Sequence, residues 1–362
     1  MEVFYEPTLE SFPWGKEAIE RFSAFNPLPK EKEELERKIF LQADDPIKRG
    51  KEVLYLRFYK GEFFKRCPGT KGYICCGYWV GNIVEGCPFD CTYCVLQAYL
   101  NTPFMVLNLP WSKFFEEVTE KTDTQGVLRL GTGELSDSLA LEPFLGFVEE
   151  ALYFFEGFEK GVLELKTKSS NVDVLLRFTG KKKSVIAWSL APRIIQKEQE
   201  LRTSPIEERI RAARLCQEAG YPVAFHFDPI ILYPGWEEDY QKLIGELFQT
   251  VDPKGVIWIS LGTFRLPRPL PGIIRKRFPQ NWILTGELLP AEDGKLRYLK
   301  PLRVKVYKTM LSWLKEYPIR GFIYLCMERE DVWRAVFGMS PKSTQGLREL
   351  LETHTKEFLR KW

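Results

Sequence analysis

Three cysteines, Cys87, Cys91 and Cys94, stand in the string GCPFDCTYC with the spacing C-x3-C-x2-C. Three thiolates on one short loop can each ligate one iron of a cubane four-iron cluster, a centre that usually takes four cysteines. No fourth cysteine follows closely, so one iron keeps an open position, as the metal of a catalytic zinc site does. An open iron can bind a small molecule directly, which turns an electron-transfer centre into a catalytic one. Zinc fits this spacing poorly, because it takes four ligands, often as paired C-x2-C knuckles. Scattered buried thiols are the remaining plain reading.

The rest of the chain must position that loop. Its 362 residues suffice for one large domain or two ordinary ones, and 44% hydrophobic and 14% aromatic residues supply a sizeable core. No apolar run approaches membrane-spanning length, and the opening MEVFYEPTLESFPWGKE is not a secretory signal. Eight cysteines, three of them in one cluster loop, point to a reducing cytoplasm. The net charge of +3 permits nucleic-acid binding without requiring it. Only two histidines occur, His226 and His354, which excludes a His-rich metal site.

Residues 1–75 read as an N-terminal extension with a charged helix in PKEKEELERKIFLQADD and a strand in LYLRFYKGEFF. From residue 76 strands and helices alternate. Strands are expected at 78–86, 126–134, 161–169, 184–192, 222–230 and 255–264. One intervening helix follows Ser204, read as its cap, and stops at Gly220. Near-continuous apolar strands separated by helices imply a parallel sheet covered on both faces. Six such units over 76–264 predict an α/β fold, a partial (β/α)6 TIM-type barrel, with its chemistry at the C-terminal strand ends. The cysteine loop follows the first strand. Residues 265–362 read as an α/β cap that includes a β-hairpin turning at Asp293-Gly294.

The cysteine string, with Tyr93 as its aromatic, resembles the signature of radical S-adenosylmethionine enzymes. In that superfamily the cofactor's amine and carboxylate chelate the fourth iron, and one electron releases a 5′-deoxyadenosyl radical. The strings YCVLQAYLN, SLAPRIIQKEQELRTSPIEERIRAARLCQEAGYPVAFHFDPIILYPGWEEDY, SLGTFRLP and GKLRY are similar, in the same order, to stretches of spore photoproduct lyase. The likeness runs from about residue 76 to 310. It implies a lyase-like radical enzyme with a 4Fe–4S cluster and S-adenosylmethionine, acting on a pyrimidine-dimer lesion in DNA. An electron donor such as flavodoxin or ferredoxin, and no membrane, complete the expected partners.

By that resemblance Cys87, Cys91 and Cys94 hold the cluster, and Tyr93 packs beside the cofactor. Ser136, in GTGELSDS, Lys168 and Ser189 contact the cofactor, and Asp137 follows Ser136 in a Ser-Asp pair. Arg297 and Tyr298 lie in the hairpin that enters the damaged duplex. Two departures stand out. The lyases carry a hydrogen-donating cysteine where this chain has Glu134, and a tyrosine where it has Val95. Glu134 closes the GTGE turn, whose glycines would let the backbone approach the cofactor amine while Glu134 accepts its hydrogen bond.

Cys67, Cys75 and Cys76 precede the barrel, and three readings stay open for them. They are buried small hydrophobes; or Cys75 or Cys76 is a relocated hydrogen donor; or they hold a second cluster with Cys326. His226 and Asp228 alternate with phenylalanines and face the barrel interior. RLPRPLPGIIRKRFP is either a phosphate-holding segment or a solvated loop. Two rival functions remain: a radical enzyme acting on a peptide or small metabolite, and an iron–sulfur redox module without radical chemistry.

Overall fold

A computed structural model describes residues 1–125 and 128–362. Its centre is a curled sheet of eight strands. From one edge these are Phe322–Leu325, Val256–Thr263, Val223–Ile230, Val185–Ser189, Gly161–Thr167, Leu128–Gly131, Trp79–Gly81 and Phe64–Arg66. All neighbours pair parallel except the last two. Val185–Ser189 and Val256–Thr263 are buried along their whole length, as a sheet covered on both faces requires. The helices Ile206–Glu218 and Trp236–Thr250 lay Ile206, Ile210, Ala213, Tyr240, Leu243 and Leu247 against it. The half-barrel expected from the strand–helix alternation is therefore the fold. Gly126 and Val127, at the head of the expected strand 126–134, lie outside the described residues.

Four features differ from the sequence reading. The expected strand 78–86 is two strands in two sheets. Trp79–Gly81 stays in the barrel, whereas Val84–Glu85 pairs antiparallel with Met105–Leu109. Met105–Leu109 is a strand that periodicity did not reveal, and it pairs with Val53–Phe58, which in turn pairs with Glu2–Tyr5. The N-terminal five-stranded sheet thus crosses the expected boundary at residue 75. At the other end Phe322–Leu325, expected in the cap, is the edge of the barrel sheet, paired to Val256–Thr263. Finally, Ser204 does not cap its helix: Pro205 takes that place, and the Ser204 hydroxyl accepts from the Ser170 amide at 2.9 Å.

The hairpin is present. Leu289–Pro290 pairs antiparallel with Leu296–Arg297, and Gly294 takes the left-handed conformation its turn needs (φ +75°). The C-terminal helix Thr344–Lys361 is capped by the Ser343 hydroxyl and buries Leu347, Leu351 and Phe358.

One buried carboxyl has a consequence for stability. Glu142 accepts from the Val148 amide at 3.0 Å, and burial pushes its pKa from 4.5 up to about 8. The folded chain then keeps a proton that the unfolded chain loses above pH 4.5. This contribution is whole below that pH and drains away as pH rises to about 8, costing about 3 kcal/mol by pH 7. Glu142→Gln should match the parent protein's urea midpoint at low pH and exceed it above neutrality. Parallel midpoints across the whole range would contradict the assignment.

Candidate active site

The cysteine loop lies over the C-terminal ends of the barrel strands. Cys91 is held by main-chain pairing of Asp90–Cys91 with Glu200–Leu201, and the Thr92 amide donates to the Gln199 carbonyl at 2.8 Å. Side chains secure the remaining carbonyls. Gln97 Nε2 donates to the carbonyls of Cys91, Thr92 and Cys94 at 3.2, 2.9 and 3.3 Å. Lys51 Nζ donates to the Cys87 carbonyl at 3.1 Å and also to that of Phe89. Beneath them Arg277 grips Asp90 at 3.1 and 3.2 Å, Asp45 at 2.9 Å and the Gln97 amide oxygen. Lys51 and Arg277 are not legible in local sequence, because their partners lie far away along the chain.

Burial raises the Cys87 and Cys91 thiols, pushing Cys91 up to about 12, and the neighbouring thiols add to the rise. Among the described residues no three His, Cys, Asp or Glu groups converge on a single ion. A cubane instead spreads its thiolates over separate irons, and a loop with every cysteine carbonyl tied back suits that donor set.

One wall beside the loop is built on Glu200. Burial works to raise this carboxyl, but Arg209, whose Nη2 lies 2.7 Å away, and Lys168, at 3.6 Å, outweigh it and hold it low. Tyr93 donates its hydroxyl to Glu200, and the Lys168 ammonium lies 5.6 Å from the Tyr93 ring centre. Tyr93 and Lys168 thus meet next to Cys91. Ser136 is 7% exposed, and its hydroxyl has no protein partner. An orphaned buried hydroxyl of this kind fits a polar cofactor. Asp137 shapes the same edge by accepting from Thr167 Oγ1 and the Lys168 amide, both at 2.6 Å. Ser189 ends its strand 7% exposed, and its carbonyl accepts from Arg209 at 2.9 Å.

Glu134 pairs with Lys166, which shares a strand face with Lys168. The GTGE glycines have a nearer purpose than cofactor clearance. A Cβ on Gly131 would sit 2.0 Å from the Tyr78 hydroxyl, and one on Gly133 would sit 2.8 Å from the Lys166 Cβ. His226 is a satisfied interior group: Nε2 lies 2.7 Å from Glu164, Nδ1 lies 2.7 Å from the Ser260 hydroxyl, and Trp258 also donates to Glu164 at 2.9 Å. Asp228 takes both arms of Arg265 at 2.9 Å.

The Cys326 thiol lies 3.8 Å from the same guanidinium and within electrostatic reach of Cys75 and Cys76. Burial keeps Cys75 protonated and pushes Cys76 up to about 12.

Arg297 and Tyr298 do not project from the hairpin. Arg297 is 2% exposed, pairs with Asp293 at 2.7 Å and lies 4.3 Å from the Tyr73 ring centre. Tyr298 is 4% exposed, and its hydroxyl accepts from the Leu232 amide at 3.0 Å. In this structure both brace the hairpin from inside. The reason is local: Asp293, four residues before Arg297, neutralises it within the turn.

Comparison with known proteins decides what this architecture is. The family model described as "Spore photoproduct lyase" matches residues 75–300. The chain belongs to the spore photoproduct lyase family. Spore photoproduct lyase of a Geobacillus species is 24% identical over 287 residues, 77% of this chain and 82% of the relative. That of Bacillus subtilis is 28% identical over 218 residues, 59% of this chain and 62% of the relative. The solved structure of spore photoproduct lyase complexed with dinucleoside spore photoproduct superposes with a TM-score of 0.78 at 22% identity, covering 89% of this chain and 98% of the other. A mutant of the lyase with bound AdoMet and dinucleoside spore photoproduct gives the same score and identity over 89% and 97%. As a family member, the chain is a radical S-adenosylmethionine enzyme of the lyase type, with a 4Fe–4S cluster and S-adenosylmethionine as cofactors. Among the described residues no helix is long and apolar enough to cross a membrane.

Proposed function

We propose that this chain repairs a covalent pyrimidine photoproduct in DNA. The observation that carries the reading is the Tyr93–Glu200–Lys168 array beside the cysteine loop, with the unpartnered Ser136 hydroxyl close to the same strand ends. When bound, the cluster and cofactor would together provide the carbon radical needed for hydrogen abstraction. Cys87, Cys91 and Cys94 are the cluster ligands. Tyr93 packs against the cofactor, Lys168 offers its ammonium to the cofactor carboxylate, and Ser136 and Ser189 add polar contacts. Glu134, paired to Lys166, accepts from the cofactor amine.

Because Glu134 replaces the family's donor thiol, the returning hydrogen comes from Cys75 or Cys76. A hydrogen-atom donor must carry its proton, and burial keeps both thiols in the S–H form. Changing the responsible residue to alanine should leave S-adenosylmethionine cleavage intact and misdirect the product. An unchanged product spectrum in both variants would remove these thiols from the scheme.

Residues 1–75 carry most of the extension, 76–264 most of the catalytic barrel and 265–362 most of the cap, with Val84–Glu85 and Met105–Leu109 joining the N-terminal sheet and Phe322–Leu325 the barrel. The cap's hairpin faces the damaged duplex, braced from inside by Arg297 and Tyr298. A low-potential donor such as flavodoxin or ferredoxin delivers the electron in a reducing cytoplasm, where the eight free cysteines stay unpaired. Lesion-bearing duplex should bind with an affinity that falls steeply as salt rises, because phosphate contacts release counterions. A flat, negligible response would favour a peptide or metabolite substrate instead.

A further inference from the structure

The surface nearest the cysteine loop has a composition the repair reaction does not use. A cavity of about 220 Å³ reaches Cys87 and Cys94 and is bounded by Phe40, Ile47, Leu96 and Leu100. Around it large apolar side chains stand in solvent: Phe40 is 57% exposed, Leu41 78% and Tyr99 56%. These come from two helices, Lys32–Gln42 and Leu96–Tyr99. Arg37 lies three and four residues before Phe40 and Leu41, so all three share a helix face.

The unpaired charge around this patch is mainly positive. Residues 37–51 hold five cations (Arg37, Lys38, Lys48, Arg49, Lys51) against two acids (Asp44, Asp45), and Asp45 is already taken by Arg277. The helix Leu270–Arg277 packs beside Leu96–Tyr99 and adds Arg275 and Lys276 with no acid of its own. Among the described residues no carboxylate pairs with Arg37, Lys38, Lys48, Arg275 or Lys276, and all five are exposed.

We propose that this face is where a small acidic one-electron carrier of the flavodoxin or ferredoxin class docks to reduce the cluster, a proposal that rests on the radical-enzyme reading above. An apolar centre within a charged rim is the anatomy of a protein interface. The cationic rim complements an acidic partner and speeds its encounter. Nucleic acid would gain little from a leucine and a phenylalanine at the centre. In the transfer one electron leaves the carrier, oxidising it by one, and enters the cluster, reducing it by one. No proton or bond is exchanged.

Lys38→Glu and Leu41→Asp change exposed side chains on the helix Lys32–Gln42, away from the ligands, the cofactor wall and Arg277, so neither should disturb the site. In the cluster-loaded enzyme, reduced flavodoxin is titrated as electron source, and dithionite serves as the small reductant. Each variant should raise the flavodoxin concentration needed for half-maximal 5′-deoxyadenosine formation about tenfold, with weaker flavodoxin binding by calorimetry. Cleavage driven by dithionite should be unchanged. Undiminished flavodoxin binding and half-saturation in both variants would overturn the proposal. Lost binding of duplex DNA with unchanged flavodoxin response would also overturn it, assigning the face to nucleic acid. Failure of dithionite to drive cleavage in the parent enzyme would instead refute the radical-enzyme reading itself.

Discussion

Cys91→Ala should leave a folded chain that neither holds a cluster nor cleaves S-adenosylmethionine. The fold tolerates the change because Cys91 is positioned by main-chain pairing with Glu200, which alanine keeps. Its side chain is nearly enclosed, at 8% exposed, so truncation leaves a small void and not an unpaired charge. What disappears is one of three thiolate ligands, and no neighbouring thiol replaces it: Cys67, Cys75, Cys76 and Cys326 group around Glu134 and Arg265 instead. Reconstituted protein should lack the brown absorption and bound iron and form no 5′-deoxyadenosine above background. Full iron content with undiminished cleavage would mean that Cys91 is not a ligand.

Arg277→Met should loosen the loop and release the cluster without touching a ligand. The guanidinium is 5% exposed and ties together Asp90, Asp45 and Gln97. Asp90, itself only 6% exposed, would keep Lys51 alone, at 3.8 Å. Breaking a buried ion pair on one side costs about 3–5 kcal/mol, because the remaining charge stays desolvated. Gln97, no longer anchored, would release the carbonyls of Cys91, Thr92 and Cys94. Faster amide exchange across residues 87–94 in cluster-free protein is the direct readout, followed by a lower iron content after reconstitution. Parent-like exchange and iron content would show that the loop stands without its clamp.

Much of this architecture was written in local pattern. The strand–helix alternation and the Asp293-Gly294 turn each depend on neighbours within a few residues, and each appears as expected. Met105–Leu109 escaped notice because prolines at 103 and 110 make it look like loop. Its strand character comes from pairing with Val53–Phe58, which no local window contains. Phe322–Leu325 is a barrel edge for the same reason: only its partner, sixty-odd residues earlier, makes it one.

At the site, the residues that bind other side chains were the hidden ones. Glu200, Arg209 and Arg277 read from sequence as ordinary helix or loop charges, yet the first two are fully buried and the third nearly so. A signal for Lys166 was available. Glu164, Lys166 and Lys168 alternate along one strand, so Lys166 had to share a face with the lysine already singled out. Arg297 is the reverse case. A basic residue in a hairpin reads as a surface cation, and only the fold shows Asp293 and Tyr73 enclosing it.

The central claim meets its most direct test in one anaerobic assay. The reconstituted enzyme is given S-adenosylmethionine, a reductant and an oligonucleotide carrying a single spore photoproduct, and both nucleosides and oligonucleotide are analysed. The account predicts 5′-deoxyadenosine together with restoration of two unlinked thymines. A cluster that is intact and reducible, yet yields no 5′-deoxyadenosine and leaves the lesion untouched, would contradict it.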